Sequence, residues 1–326
     1  MKAEALRAEQ KQHKLDLVTV CFAPDLNLLK LQARSVAKFV DPQILGKILI
    51  IINDRHTGAV RRQIRRRILK EYGPLAPRVQ ILDRRTVGGF YFGKSGWGTQ
   101  QALKLLAANH VSAPTLMILD CKTHFIRALD KSCVWAEDGR IKTREHKVIT
   151  RYAPYFETAC DYFEVKDRKD QQPALPTVPP FLVPTLLVQD LVRAMEGREN
   201  RSFMRLFMQK KRRFTEFYLV YAYILSVYGG LEELFERSPH QAVNLVASDR
   251  ENPDQVRRKL AGLEDENCYC FGVHRAVVES ANKPIVAAIS EAWQRFGLVA
   301  SVEEAGNFLT PVKQNQISWW PFFVRR

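Results

Sequence analysis

GKILIIINDRH, residues 46 to 56, is the stretch on which the fold turns. Ile48 to Ile52 form an unbroken aliphatic run, mostly β-branched, that ends abruptly on Asn53-Asp54. A strand covered on one face alternates apolar and polar residues; an unbroken run belongs to a strand covered on both. The pattern recurs on either side. DLVTVCF (16 to 22), RVQILDR (78 to 84) and TLMILD (115 to 120) read as further strands. Between them lie helical spacings: LNLLKLQARSVAKFV (26 to 40), with Leu29, Ala33, Val36 and Ala37 on one side, VRRQIRRRILKEY (60 to 72), and TQQALKLLAANHV (99 to 111). Strand alternating with helix predicts an α/β protein with a mostly parallel central sheet.

In open sheets of this kind ligands bind beyond the carboxyl ends of the strands. The residues there are polar: Ala23-Pro24-Asp25, Asn53-Asp54-Arg55, Asp83-Arg84-Arg85 and Asp120-Cys121-Lys122. After residue 125 the pattern becomes irregular. Pro173, Pro176, Pro179, Pro180 and Pro184 mark a connecting loop, FTEFYLVYAYILSVYGG (214 to 230) reads as an aromatic helix stopped by Gly229-Gly230, and CYCFGVHRAVV (268 to 278) as a late strand. The expected organisation is a polar amino-terminal helix over 1–15, a nucleotide-binding half over 16–125, an irregular α+β half of the same domain over 126–316, and an aromatic, basic tail over 317–326.

Composition narrows the function. In 326 residues, 50 Lys and Arg face 35 Asp and Glu, a formal charge of +15, with 46% hydrophobic residues. That is enough apolar material for a full core and too much for a disordered chain. No run reaches the roughly 20 apolar residues of a membrane span. The polar start MKAEALRAEQKQHKLDL lacks a signal-peptide pattern, so a cytoplasmic protein is expected. Cys21, Cys121, Cys133, Cys160, Cys268 and Cys270 are scattered and read as reduced thiols.

The surplus charge suits a polyanion: nucleic acid, anionic lipid or an acidic or phosphorylated sugar. No helix-turn-helix, RNP strand or Cys/His finger accompanies it, so nucleic acid is the minority reading. Arg61, Arg62, Arg65, Arg66 and Arg67 lie along 60–72, where they read first as the solvated face of an amphipathic helix. Trp319, Trp320, Phe322, Phe323, Arg325 and Arg326 read either as a foot on an anionic membrane or as a packed terminal strand. The fingerprints Gly-x-Gly-x-x-Gly, Gly-x-x-x-x-Gly-Lys-Ser/Thr and Gly-x-Ser-x-Gly are absent from the sequence.

The end of the fourth strand and the residues after it, ILDCKTHFIRALD, resemble the GT-A (Rossmann-like) glycosyltransferases, in which an Asp-x-Asp closes the equivalent strand. GWGTQQALKL (96 to 105), Pro180-Phe181 and Pro184, Thr215-Glu216-Phe217 and His274-Arg275 keep the order found in a bacterial branch of such proteins. The resemblance covers roughly residues 16 to 280. It implies a GT-A fold and transfer of a sugar from a nucleotide-sugar donor to a glycan or lipid-linked acceptor, in bacterial surface polysaccharide biosynthesis, at the inner face of the membrane. A sugar nucleotidyltransferase and a non-catalytic polyanion-binding protein are the alternatives.

A departing nucleoside diphosphate needs its charge met by a divalent cation (Mn²⁺ or Mg²⁺) or by fixed Lys and Arg donors. Here Lys122 replaces the second acid of Asp-x-Asp. Either Asp120 binds a cation with another ligand such as His274, or Lys122 neutralises the diphosphate itself. Glu216, opening an apolar helix, is the candidate base, and an inverting reaction is expected. Asp25, Asn53, Asp54, Gln100, Lys104, His274 and Arg275 are the candidate donor-binding residues, with Trp97 either among them or in the core.

Overall fold

The computed structural model describes residues 3–89, 96–144, 148, 150–166, 175–209, 212–239, 241–280 and 282–310. The tail 317–326, with its tryptophans and arginines, lies outside them. A first sheet contains β1 (Leu15–Cys21), β2 (Leu45–Ile52), β3 (Val79–Asp83) and β4 (Thr115–Asp120). Two short strands come next, β5 (Thr123–Phe125) and β6 (Ile141–Thr143), then β7 (Phe181–Pro184), β8 (Phe235–Arg237), β9 (Gln241–Leu245) and β10 (Cys268–Val273).

The first sheet has the order β3-β2-β1-β4-β7. Its first four strands are parallel and β7 runs antiparallel to β4. The fold is therefore α/β with a mostly parallel central sheet. The apolar run of β2 explains its position inside this sheet: Ile48 to Ile52 are all buried, clamped between β1 and β3 and covered by helices. The helix Leu26–Phe39 buries Leu28, Leu29, Leu31, Ala33 and Val36.

Registers place the strand ends together. Cys21 faces Ile52, Ile52 faces Asp83, and Val20 faces Asp120, so all four parallel strands finish at one edge. The chain runs from β1 outward to β2 and β3, then returns to place β4 on the other side of β1. This makes the β1/β4 junction the switch point at which such sheets bind ligands.

The second half closes over that edge. β10 pairs antiparallel with β5 and parallel with β9, so the strand just beyond the Asp120 turn joins a sheet made of late sequence. The expected boundary at residue 125 thus falls immediately after a strand shared with the second half. The helix Glu216–Tyr228 stops where the sequence says it should: Gly229 takes φ +77, a left-handed conformation open to glycine, and its N–H returns to Leu225 O.

The basic segment is less regular than its spacing predicts. Helix Thr57–Gln63 widens into a π turn over Ile64–Ile68 and then tightens into a 3₁₀ stretch, Leu69–Arg78. Pro74 and Pro77, and Gly73 at φ +50, deny that last stretch α-helical bonding. The apolar side behaves as expected, with Val60, Ile64 and Ile68 buried and Arg62, Arg65, Arg66 and Arg67 exposed. All six cysteines are free thiols. Among the described residues no helix is long and apolar enough to cross a membrane.

Candidate functional site

A cavity of about 530 Å³ opens at the β1/β4 switch point. Nine residues singled out in the sequence line it: Asp25, Trp97, Gln100, Lys104, Asp120, Lys122, Glu216, His274 and Arg275. They arrive from beyond the end of β1, from helix Trp97–Leu106 (Trp97 and Gln100 in its first turn, Lys104 in its last), the end of β4, the start of helix Glu216–Tyr228 and the end of β10.

Asp120 is the centre of the arrangement. Its Oδ1 is 2.8 Å from Lys104 Nζ and its Oδ2 is 2.9 Å from Lys122 Nζ. Lys104, nearly wholly buried, also donates to Glu216 Oε1 at 3.1 Å. One ammonium thus bridges two buried carboxylates. Burial pushes the Asp120 carboxyl up, but the Lys104 and Lys122 ammonium groups outweigh it and hold Asp120 well below the usual carboxylate range. Burial would also strip the proton from Lys104; the two carboxylates reverse this and hold its pKa above that of a free lysine. Glu216 differs from its neighbour. Burial dominates over its one cation, so its carboxyl is raised.

Side chains behind the cavity fix these groups. Gln32, buried in helix Leu26–Phe39, donates Nε2 to Asp120 O at 2.6 Å and Thr123 O at 2.9 Å, and accepts from Thr19 Oγ1 at 2.8 Å. It thereby pins the turn that carries Asp120 and Lys122. Gln101 Oε1 accepts the backbone N–H of Glu216 at 3.2 Å, meeting one of the orphan donors of that helix start. Val273 N–H donates to Lys122 O at 3.0 Å, which brings the end of β10, with His274 and Arg275, against the same turn.

His274 Nδ1 accepts the N–H of Ala276 at 3.1 Å. In the neutral ring the proton then belongs to Nε2, which makes that nitrogen a hydrogen-bond donor. Burial, with help from Lys122 and Arg275, lowers its pKa, favouring that neutral form. Arg275 lies over the Phe22 ring at 5.0 Å and pairs with Glu279 at 3.2 Å. Asp25 is pushed up to about 7 by burial, against the pull of Arg275 and Lys122, and its Oδ1 is buried with no hydrogen-bond partner among the described residues.

This donor set does not fit a divalent cation. Hard cations take ionised or neutral oxygen ligands in numbers. Asp120 has a lysine on each oxygen, and His274 has one nitrogen accepting from the backbone and the other protonated. Among the described residues no three His, Cys, Asp or Glu side chains gather to hold a metal. Of the two arrangements expected from the sequence, Asp120 and His274 on a cation or Lys122 in place of one, the ion pairs of Asp120 with Lys104 and Lys122 favour the second.

Three candidates remain to be placed. Asn53 and Asp54 do not line the cavity. Asp54 spends its oxygens on the N–H groups of Ala23 (3.0 Å) and His56 (2.8 Å), shaping the turns after β1 and β2, and Asn53 Nδ2 reaches Gly96 O at 3.4 Å. Trp97 is not core: 57% of it is exposed at the cavity lip, with Tyr155 edge-on at 6.3 Å. Lining residues that the sequence reading missed include Gln101, Arg151, Tyr152, Tyr218 and the segment from Asn244 to Ser248 at the end of β9.

A family model matches residues 17–289, which is most of the chain and all of this site. The chain belongs to DUF6492. That is a family of unknown function. No curated protein matches the sequence. Among solved structures the DUF6492 chain is similar to mouse xyloside xylosyltransferase 1, at 10% identity and a TM-score of 0.44, covering 79% of this chain and 97% of that one. It is similar to the galactosyltransferase LgtC in complex with donor and acceptor sugar analogues, at 12% identity and 0.44, covering 92% and 98%. A third is the WbbM bifunctional glycosyltransferase, at 10% and 0.43, where 87% of this chain spans about half (51%) of the other.

Proposed function

We propose that this DUF6492 protein is a glycosyltransferase of GT-A type that moves a sugar from a nucleotide-sugar donor to a glycan or lipid-linked acceptor, with inversion and without a divalent cation. The observation that carries the reading is the pair of unlike carboxylates on one lysine. Asp120 is held ionised and fully neutralised, whereas Glu216, 3.1 Å from the same Nζ, is raised toward the range useful to a base. Carboxylates pushed apart in this way divide the labour of a displacement: one organises cations, the other takes a proton.

In this mechanism the acceptor hydroxyl gives its proton to the Glu216 carboxylate as its oxygen attacks the anomeric carbon. The bond from that carbon to the diphosphate oxygen breaks on the opposite face, and the electron pair leaves with the diphosphate. Lys122, itself oriented by Asp120, and Arg275 supply fixed positive charge to the leaving group, and His274 Nε2–H supplies a neutral hydrogen bond. Such preorganised donors need no reorganisation as charge develops, so they do the work a cation does elsewhere. Asp25 Oδ1, buried without a partner among the described residues, is placed to meet an N–H or hydroxyl of the nucleoside. Trp97, with Tyr152 and Tyr155 behind it, offers a flat aromatic lip for a pyranose ring.

The setting in bacterial surface polysaccharide biosynthesis, at the cytoplasmic face of the membrane, rests on the resemblance of the strand-end motifs. A thermal-shift screen of sugar nucleotides, each with and without Mn²⁺ or Mg²⁺, tests the reading through ligand-linked stabilisation. At least one donor should raise Tm equally with and without metal. If no sugar nucleotide stabilises the protein under any condition, the reading fails.

A further inference from the structure

The basic segment that the proposed reaction does not use borders a second depression. It lies at the same sheet edge, beyond the ends of β2 and β3, encloses about 600 Å³, and shares no lining residue with the first cavity. Its charged walls are Arg55, Arg62, Arg84 and Arg85 with Asp54 and Asp83. Both carboxylates already have partners. Asp54 accepts from the backbone of Ala23 and His56, while Asp83 Oδ1 accepts from the N–H groups of Arg85 and Thr86, and its Oδ2 pairs with Arg61 at 3.3 Å.

What remains for a ligand is positive. Arg55, Arg62 and Arg85 are exposed, Arg55 donating Nε to His56 Nε2 at 3.0 Å. Arg84 is half-buried, and its Nη1 is out of contact with solvent with no hydrogen-bond partner among the described residues. Every cation of this cleft is an arginine, in a protein with many lysines elsewhere. A guanidinium fork meets two oxygens of one phosphate at once, which an ammonium cannot do. The depression is open to solvent and has room for such a group.

We infer that this cleft is a second binding site, specific for a phosphate-bearing group. The group would be carried by a sugar phosphate or by a phospholipid headgroup, since both present the same tetrahedral oxyanion. The inference does not depend on the sugar-nucleotide reading of the first cavity.

Calorimetric titration with inorganic pyrophosphate in about 150 mM NaCl, a physiological ionic strength, tests it. Wild-type protein should take up two equivalents; R62A/R84A should lose one of them, with at least tenfold weaker binding there, and K122A should lose the other. R84K, which keeps the charge and any fold it supports, should weaken the cleft several-fold through loss of the fork. Retention of both equivalents by R62A/R84A would overturn the inference, as would a wild-type protein whose whole uptake disappears in K122A. A single equivalent lost in R62A/R84A but not in K122A would uphold the cleft and count against the diphosphate role of the cavity. Co-sedimentation with phosphatidylglycerol vesicles then separates the sources: binding lost in R62A/R84A assigns a lipid phosphate, and absence of vesicle binding assigns a soluble one.

Discussion

Asp120 and Glu216, more than ninety residues apart in sequence, share one buried cation: Lys104 Nζ stands 2.8 Å from the first and 3.1 Å from the second. Removing that cation leaves two carboxylates buried with too little positive charge. Lys104→Met should destabilise the protein by about 3–5 kcal/mol, the usual cost of leaving a buried charge uncompensated. The loss should be largest near neutral pH and shrink as the solution becomes acidic and the stranded carboxylates take up protons. Urea unfolding at several pH values measures this, and a pH-independent loss would argue against the shared ion pair.

Asp25 gives a pH signature of opposite sense to Asp120. Its folded-state pKa is raised to about 7 from an ordinary value of 3.8. The folded protein therefore keeps a proton that the unfolded chain gives up. Stability from this group is fully present below about pH 4 and is lost as pH rises through about 7. Asp25→Asn removes the dependence, so its Tm should exceed that of the wild type at about pH 8 and converge with it at about pH 4. Asp120, held low, contributes stability that is present at neutral pH and lost only as the solution becomes strongly acidic.

Gln32 is a positioning residue. Gln32→Ala leaves Asp120 O and Thr123 O without their buried donor and should cost about 1–3 kcal/mol. If the residue only fills space, Gln32→Leu, of similar volume, would restore stability. If it positions the turn, neither variant recovers sugar-nucleotide-dependent Tm shifts.

Glu216→Gln keeps the volume and a hydrogen-bonding group while removing the proposed base. Transfer should fall about 10²–10⁴-fold, the usual worth of a general base, with donor binding retained. Because burial raises the Glu216 carboxyl, the acid limb of the wild-type pH profile should lie above that of an exposed glutamate and vanish in the variant. Loss of donor binding in step with rate would instead make Glu216 a donor ligand.

The strands and the site residues at their ends are legible in the sequence because unbroken β-branched runs such as Ile48 to Ile52 announce buried parallel strands, and the topology then gathers the residues beyond each run at one edge. Asp25, Asp120 and Lys122 come together for that reason, whereas Glu216, at a helix start, and His274 and Arg275, beyond β10 of the second sheet, are brought to the same edge by the late half of the chain. Lys104 is different: within TQQALKLL its spacing shows only a polar position on a helix, and the two carboxylates that keep it inside come from elsewhere in the chain. Gln32 and Gln101 act through backbone atoms of distant turns, which leaves no periodic trace. Asp54 resembles a ligand because it sits just past a strand; its position in the sequence does not show that the backbone of Ala23 and His56 claims its oxygens. Over 60–72 the periodicity shows the buried face but not the π turn at Ile64–Ile68; Gly73 and the two prolines account only for the last stretch, Leu69–Arg78.

Fixed side-chain cations, with Asp120 pinned between two lysines, are proposed to carry the leaving diphosphate. The most direct measurement is release of nucleoside diphosphate from the sugar nucleotide that stabilises the protein best, recorded in EDTA and in Mn²⁺ or Mg²⁺, for wild type and Lys122→Ala. The wild-type rate should be the same in EDTA as with metal, and it should fall at least tenfold in Lys122→Ala under both conditions. Turnover that stops in EDTA and returns with Mn²⁺ would contradict the proposed role of these cations.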